Sequence, residues 1–370
     1  MLASYVAAAF RRSRSDKLHT AINVVGLAIG LACFILIGMF VRYELGYDRQ
    51  YAQSDRIYRI SRDFHPTAGS TEAHLAANAG PVAPLLKEFF PQVEKSARIF
   101  CCGGVLKTPD GPALLHTGYA MADPELFEIF DFTWLRGDPA TALAGPYDVV
   151  LTRSAARKHF GDADALGRTL LLVGGAGNAE TLRVTGVIED LPANTTLDFD
   201  MLQSMAAWNR EPDARRYLTD WRNNVFHTYV LLADGADIRD VQRRSGEFFE
   251  RYFQQGSSAS MGFTAMPISS IHLRSNRQGE MRGSGEAKIG NLATVYTFAA
   301  IAVLVLALAC INFTNLATAR AAQRAREIGV RKSVGASRGR LVAQFLAESV
   351  ALALAALLVA VALVELALPA

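Results

Sequence analysis

AINVVGLAIGLACFILIGMFV, residues 21–41, carries no charged side chain, and its reading decides the class of fold. At 1.5 Å rise per residue a helix of this length spans ~30 Å, the thickness of a bilayer core. Two more apolar blocks lie far downstream, Leu292 to Ala319 and Leu341 to Pro369, the last interrupted by Glu348 and Glu365. Length and absence of charge argue against buried core helices for the first two blocks. Arg11, Arg12, Arg14 and Lys17 precede the first block, as they would in a secretory leader. The apolar run is too long for a leader, and GMFVRYELGYD after it offers no small-residue cleavage pattern. The block reads as an uncleaved anchor.

Charge placement orients the spans. The 370 residues carry a net charge of +3, too little to argue for nucleic acid. Before the first span, four basic residues stand against Asp16. Between the last two blocks, Arg320, Arg324, Arg326, Arg331, Lys332, Arg338 and Arg340 stand against Glu327 alone. The other flanks are balanced: Arg42, Glu44, Asp48 and Arg49 on one, Glu280, Arg282, Glu286 and Lys288 on the other. By the positive-inside rule the N-terminus and the loop after Arg320 are cytoplasmic, and the stretch from Arg42 to Gly290 lies outside. The predicted layout is a cytoplasmic segment 1–20, a first span 21–41, an outside domain 42–290, a second span 291–319, a cytoplasmic loop 320–340 and a third span 341–370. The predicted fold class is a membrane protein, α+β, with a large mixed α/β domain inserted between the first and second spans.

Within the outside domain, DRIYRISRDF alternates as a half-buried strand does, and NAGPVAPLLKEFFPQV reads as a short amphipathic helix stopped by Pro91. DVVLTRSAARKHFGD is a strand running into a helix, with Thr152 or Ser154 as N-cap and Gly161 beyond the end. TLLLVGG and TLRVTGVIEDLP form a strand pair joined by GGAGN, and HTYVLLADG is another strand. DIRDVQRRSGEFFERYF reads as one helix, with Ile238, Val241, Phe248, Phe249 and Phe253 on its apolar positions. Arg274 to Lys288, rich in Gly, Ser and charge, reads as the return to the membrane.

Chemistry is scarce. There is no G-x-x-x-x-G-K-[ST] phosphate loop, no H-E-x-x-H and no cysteine–histidine cluster at metal spacing, and the closeness of His65 and His74 does not outweigh the ordinary reading of surface histidines. Cys33 and Cys310 lie in spans, while Cys101 and Cys102 are neighbours without a second pair to build a disulfide framework. GASRG, residues 335–339, fits the G-x-S-x-G nucleophile elbow, but no strand precedes Ser337 and no histidine follows His272. Gly335 ending one short helix and Ser337 capping the next is the better account. Asn194 begins a sequon too short to carry weight.

RAREIGVRKSVGASRGRLVAQFLAESV, residues 324–350, resembles the core of the MacB/FtsX-like permease family of ABC transporters, with its REIGIRKALGAS…FLIEA pattern. Arg326, Glu327, Ile328, Gly329, Arg331, Lys332, Gly335, Ala336 and Ser337 match it position by position, as do Phe345, Leu346 and Glu348. ACINFTNLATARA resembles the end of the family's second span, and DRIYRI, FEIFDFTWLRGDPATAL, VVLTRSAARKHFGD and GVIEDLPANT resemble its periplasmic core domain. The resemblance implies a permease subunit in a bacterial inner membrane, multi-pass, with the loop 320–340 carrying the helix that couples to an ABC ATPase and the nine residues from Arg326 to Ser337 as its coupling surface. It implies that ATP is used by that partner, with no cofactor and no catalytic or metal-binding residue in this chain. Its other implied partners are a second permease copy or the second half of a longer permease, membrane lipids and a periplasmic adaptor. Short family permeases have four spans, so the reading frame is expected to continue past Ala370 into another apolar segment.

A positive collar at the membrane surface explains the charge of 324–340 but requires neither Glu327 nor the Gly335-Ala336-Ser337 break. A membrane-anchored periplasmic sensor is the alternative function, and it would need an output domain. An extracytoplasmic hydrolase would need a convergent catalytic set. Asn312, Thr314 and Asn315 either bond to a neighbouring helix or mark the interface. Glu348 and Glu365 either snorkel or serve transport.

Overall fold

The computed structural model describes residues 17–66, 71–174, 179–281, 288–323, 329–330, 332–334 and 337–368. Two compact units emerge: Met1–Leu45 together with Leu292–Ala370, and Gly46–Asn291.

The first unit holds, among the described residues, three helices long and apolar enough to cross a membrane. They run Lys17–Leu45, Leu292–Gln323 and Arg338–Ala367. Most of their apolar side chains face outward, as a lipid-bathed surface requires, so packing depends on small residues that let backbones approach. Ala28 of the first helix and Ala356 and Ala360 of the third are fully buried against each other's neighbourhood, with Leu27, Ala32 and Val364 completing that core. A side chain on Gly30 would collide with Ala309 of the second helix. Thr314 bonds back to Cys310 O of its own helix at 2.8 Å rather than to a neighbour, while Asn312 Nδ2 lies 3.5 Å from where a Cβ on Gly26 would sit.

The second unit is built on thirteen strands, among the described residues, that join in one mixed sheet. They are β1 (Ile57–Phe64), β2 (Ala73–Leu75), β3 (Val93–Cys101), β4 (Gly104–Lys107), β5 (Leu114–His116), β6 (Tyr119–Ala122), β7 (Trp134–Gly137), β8 (Asp148–Thr152), β9 (Thr169–Val173), β10 (Ala179–Ile188), β11 (Met201–Ser204), β12 (His227–Leu232) and β13 (Met261–Pro267). The order is β13-β1-β12-β3-β6-β11-β8-β10-β9-β4-β5, with β2 on β1 and β7 on β10. The β10–β8 and β11–β6 pairs are parallel, the rest antiparallel. The chain is a membrane protein of α+β type, its mixed domain inserted in sequence between the first and second long helices.

Local readings gain physical detail here. Thr152, not Ser154, caps the helix Arg153–Phe160 by accepting from Ala155 N, while Ser154 bonds to Asp190, and Gly161 ends the helix at φ +64°. Two readings are corrected. The stretch 237–253 is two helices, Ile238–Arg243 and Ser245–Tyr252, broken at Arg244, where the Ser245 hydroxyl donates to Gln242 O. Strand β1 is not half-buried. Arg59, Ser61, Arg62 and Asp63 are buried along with Ile57 and Ile60, because strands flank β1 and chain covers both of its faces.

The cover on one face is the stretch 275–281, which therefore does not simply lead away to the membrane. Glu280 pairs with Arg59, whose Nη2 also donates to Ser275 Oγ at 2.9 Å. Arg277 pairs with Asp63, which accepts from Thr264 as well and lies 2.7 Å from His74 Nδ1. The main chain of Gln278 closes the cover by bonding to His74 O and Ala76 N. These bonds hold the Asp63 carboxyl below the usual carboxylate range in spite of its burial.

Candidate coupling surface and domain joint

Of the residues singled out by sequence, Gly329, Lys332 and Ser337 are described, whereas Arg326, Glu327, Ile328, Arg331, Gly335 and Ala336 lie outside the described residues. Gly329 and Val330 are helical, and Val334 N donates to Val330 O at 3.2 Å, closing one turn. Ser333 adds a hydroxyl bond to the same carbonyl at 2.8 Å. A Cβ at Gly329 would meet only open space, Lys332 is exposed, and Val330 and Val334 are 60% and 83% exposed. Ser337 takes the N-cap position of the third long helix with extended backbone (φ −71°, ψ 146°), and Leu341 N donates to its carbonyl. Its hydroxyl makes no capping bond. Among the described residues, 332–333 before Ser337 and those from Arg338 onward are helical, and a nucleophile elbow needs a strand before its serine. What this stretch offers is a small, basic, partly apolar surface.

A second arrangement, invisible to motif reading, lies where the outside domain begins and ends. Asp48 is fully buried two residues after Gly46, at φ +56°. Its carboxylate accepts from the Thr195 hydroxyl, from Thr196 N at 3.0 Å and from the Thr196 hydroxyl at 2.7 Å. Asp48 N donates to Asn194 O at 3.0 Å, and Asn194 Nδ2 returns a bond to Gly46 O at 3.2 Å. The Tyr51 hydroxyl lies 3.0 Å from Thr195 Oγ1. Burial pushes the Asp48 carboxyl up, and the bonds from Thr195 and Thr196 oppose that push. Next to Asp48, the Tyr47 ring lies flat on His272, centroids 3.4 Å apart. His272 Nδ1 donates to Lys288 O at 2.7 Å, and Gly290 N donates to His272 O at 2.7 Å. One cluster therefore grips both the first and the last residues of the domain. Sequence reading missed Asp48, Thr195, Thr196 and His272 as a group because partners stand some 147 residues apart in the chain. The only local signal was the ANTT stretch itself.

Among the described residues, no group of three or more His, Cys, Asp or Glu could hold a metal ion. His74 is engaged with Asp63. The thiols of Cys101 and Cys102 are free and pushed up to about 12 by burial, which leaves them poor nucleophiles. A groove lined by Arg136, Arg153 and Arg157 is open, but each arginine already faces a carboxylate: Asp164, Glu189 and Asp162 respectively.

Residues 20–247 match the family described as MacB-like periplasmic core domain, and residues 299–370 match FtsX-like permease C-terminal. Over 218 residues the chain is 26% identical to the macrolide export ATP-binding/permease protein MacB of Bdellovibrio bacteriovorus, covering 58% of this chain and 30% of that protein. Over 214 residues it is 24% identical to the uncharacterized ABC transporter permease YknZ of Bacillus subtilis, covering 57% of this chain and 46% of that one. The chain thus spans less than half the length of either relative. Similar solved structures include a domain of a putative permease from Porphyromonas gingivalis, at 23% identity and TM-score 0.49, covering 59% of this chain and 93% of that one. The periplasmic region of MacB from Actinobacillus actinomycetemcomitans is similar at 13% identity and TM-score 0.42, covering 59% and 91%.

Proposed function

The chain belongs to the MacB-like periplasmic core domain family of ABC transporter permeases, and from that premise we propose that it passes ATPase-driven motion from its cytoplasmic loop to its outside domain, for export or for mechanical work. The observation that carries this reading is the presence of both family regions on one chain, beside three helices of spanning length. In this reading ATP is hydrolysed by a separate subunit, and this chain supplies no catalytic residue and binds no cofactor. Arg326, Glu327, Ile328, Gly329, Arg331, Lys332, Gly335, Ala336 and Ser337 form the surface on which that subunit docks. The chain crosses the bacterial inner membrane several times, with lipid, a second permease copy or half, and a periplasmic adaptor as its remaining neighbours.

Force transmission needs an element whose two states the nucleotide distinguishes, and a stiff connection beyond it. The clamp on Asp48 and His272 suits the second requirement: it fixes both ends of the outside domain to one another, so displacement there moves the domain as a body. The open surroundings of Gly329 suit the first, since a partner helix or groove can approach the backbone closely.

Charge-reversing Glu327→Lys and bulky Gly329→Leu, made separately in the full-length permease, test this. Each is expected to leave expression and membrane insertion intact, because Gly329→Leu keeps the Lys and Arg count that sets orientation and Glu327→Lys only adds to it on the side it already favours. Each is expected to weaken co-purification with the ATPase or to uncouple its hydrolysis from outside-domain function. Normal binding and normal function in both variants would leave only the positive collar.

A further inference from the structure

Three side chains apart from the clamp and the long helices meet at the edge of the sheet. His116 ends β5 and is buried, and its Nδ1 lies 2.8 Å from Asp200 Oδ2. Its Nε2 lies 2.9 Å from Nε2 of half-buried His159, on the helix Arg153–Phe160. The two rings are inclined by only 22°, with centroids 4.9 Å apart. A carboxylate oxygen accepts, so His116 Nδ1 carries the proton and Nε2 is left with its lone pair. A carboxylate behind an imidazole in this manner is the usual way a metal-ligating histidine is oriented and made more basic.

The surroundings are shaped for that carboxylate. A Cβ on Gly118 would stand 2.8 Å from Asp200 N and 3.0 Å from Asp200 Oδ1, so only glycine lets Asp200 lie against the turn. Asp200 N is anchored to Gly118 O at 2.8 Å, and Asp200 Oδ1 is buried with no hydrogen-bond partner. The Lys158 ammonium is drawn to Leu115 O at 3.3 Å.

Two nitrogens at adjacent corners of a square, each ~2.0 Å from a central ion, stand ~2.8 Å apart, whereas two corners of a tetrahedron stand ~3.3 Å apart. The observed 2.9 Å is the length of a hydrogen bond in which His159 Nε2 donates to His116 Nε2, and an ion that displaced that shared proton would find the two nitrogens already close together. We propose that His116 and His159 are adjacent equatorial ligands of a tetragonal divalent metal site, with Asp200 as the residue that positions His116. Cu2+ is the ion such a site takes most tightly, since imidazole nitrogen suits it and it stands highest in the divalent series. Water fills the other positions, because among the described residues no third ligand converges there. The inference is independent of the permease reading.

The full chain in detergent micelles, titrated with Cu2+ buffered by glycine and followed by electron paramagnetic resonance, tests this. One equivalent of tetragonal Cu2+ coupled to two equatorial nitrogens is expected. His116→Ala and His159→Ala should each abolish the two-nitrogen pattern and weaken binding at least tenfold. Asp200→Asn keeps both ligands and should weaken binding about 10- to 100-fold, the usual effect of losing an orienting partner. His74→Ala, a histidine engaged elsewhere with Asp63, should change nothing. His159 lies on a short surface helix, and metal-free thermal unfolding of its variant shows whether the fold is kept. The proposal is overturned if the double variant His116→Ala/His159→Ala binds Cu2+ as the parent does. It is equally overturned if the parent shows only a signal that neither histidine affects, which would make the pair a plain hydrogen bond between β5 and the helix.

Discussion

The joint around Asp48 and the stretch from Gly329 to Ser337 stand at two bends of the same chain and are built on opposite terms. At the joint, a buried carboxylate, two threonines, an asparagine and a stacked tyrosine–histidine pair are held by bonds and contacts within the domain itself. In the other stretch, a glycine opens onto empty space, two valines are exposed and a serine hydroxyl makes no capping bond. The first region is complete within its own chain. The second leaves its described residues open, and the proposed docking of an ATPase subunit would use that opening. Under the proposed function, the difference separates a part that holds its shape under load from a part that is recognised.

This contrast can be broken by unfolding measurements, because Trp134, Trp208 and Trp221 are the only tryptophans in the chain and all lie in the outside domain. Their fluorescence reports that domain alone. The largest effect is expected from Glu280→Ala, which leaves the Arg59 guanidinium buried without its carboxylate. Denaturant unfolding should show a loss of about 3–5 kcal/mol. A loss below 1 kcal/mol would mean that the stretch 275–281 is loosely held. Asp48→Ala should cost about 2–3 kcal/mol, since it strands buried donors and forces alanine into a left-handed backbone. The conservative Asp48→Asn should cost distinctly less.

The third effect is graded by pH. Burial, then the neighbouring charge of Arg59, brings His227 from 6.5 down to about 3. The folded domain refuses a proton that the unfolded chain accepts. His227 therefore costs nothing above pH 6.5, and each unit below removes about 1.4 kcal/mol until about pH 3. Comparing the parent with His227→Gln between pH 6.5 and 5 isolates this from carboxylates, which titrate lower; parallel pH profiles would refute it. At the small end, the Gly329→Leu variant should not move the tryptophan transition at all.

Legibility in the sequence followed the range of the interactions. The long helices were readable because twenty uncharged residues leave a chain few alternatives, and the Thr152 cap because it acts across three residues. The break at Arg244 was hidden, since apolar spacing runs straight through it from Val241 to Phe248. Strand β1 misled because alternation signals one wet face, and two long-range ion pairs hold Arg59 and Asp63 under a cover instead. The joint was unreadable for the same reason. GVIEDLPANT was recognisable by family resemblance long before its task, receiving Asp48, had any physical content.

Asp48 also limits which variants of this protein can exist. It is the only described residue other than glycine with a positive φ, and its carboxylate is at the same time the hub of the joint. Glycine would follow the backbone and abandon the hub. Glutamate or serine would keep an oxygen and resist the turn. Asparagine alone comes near to both, with one oxygen where two are used. The position therefore has an alphabet of about two letters, and neutral drift through it is close to closed.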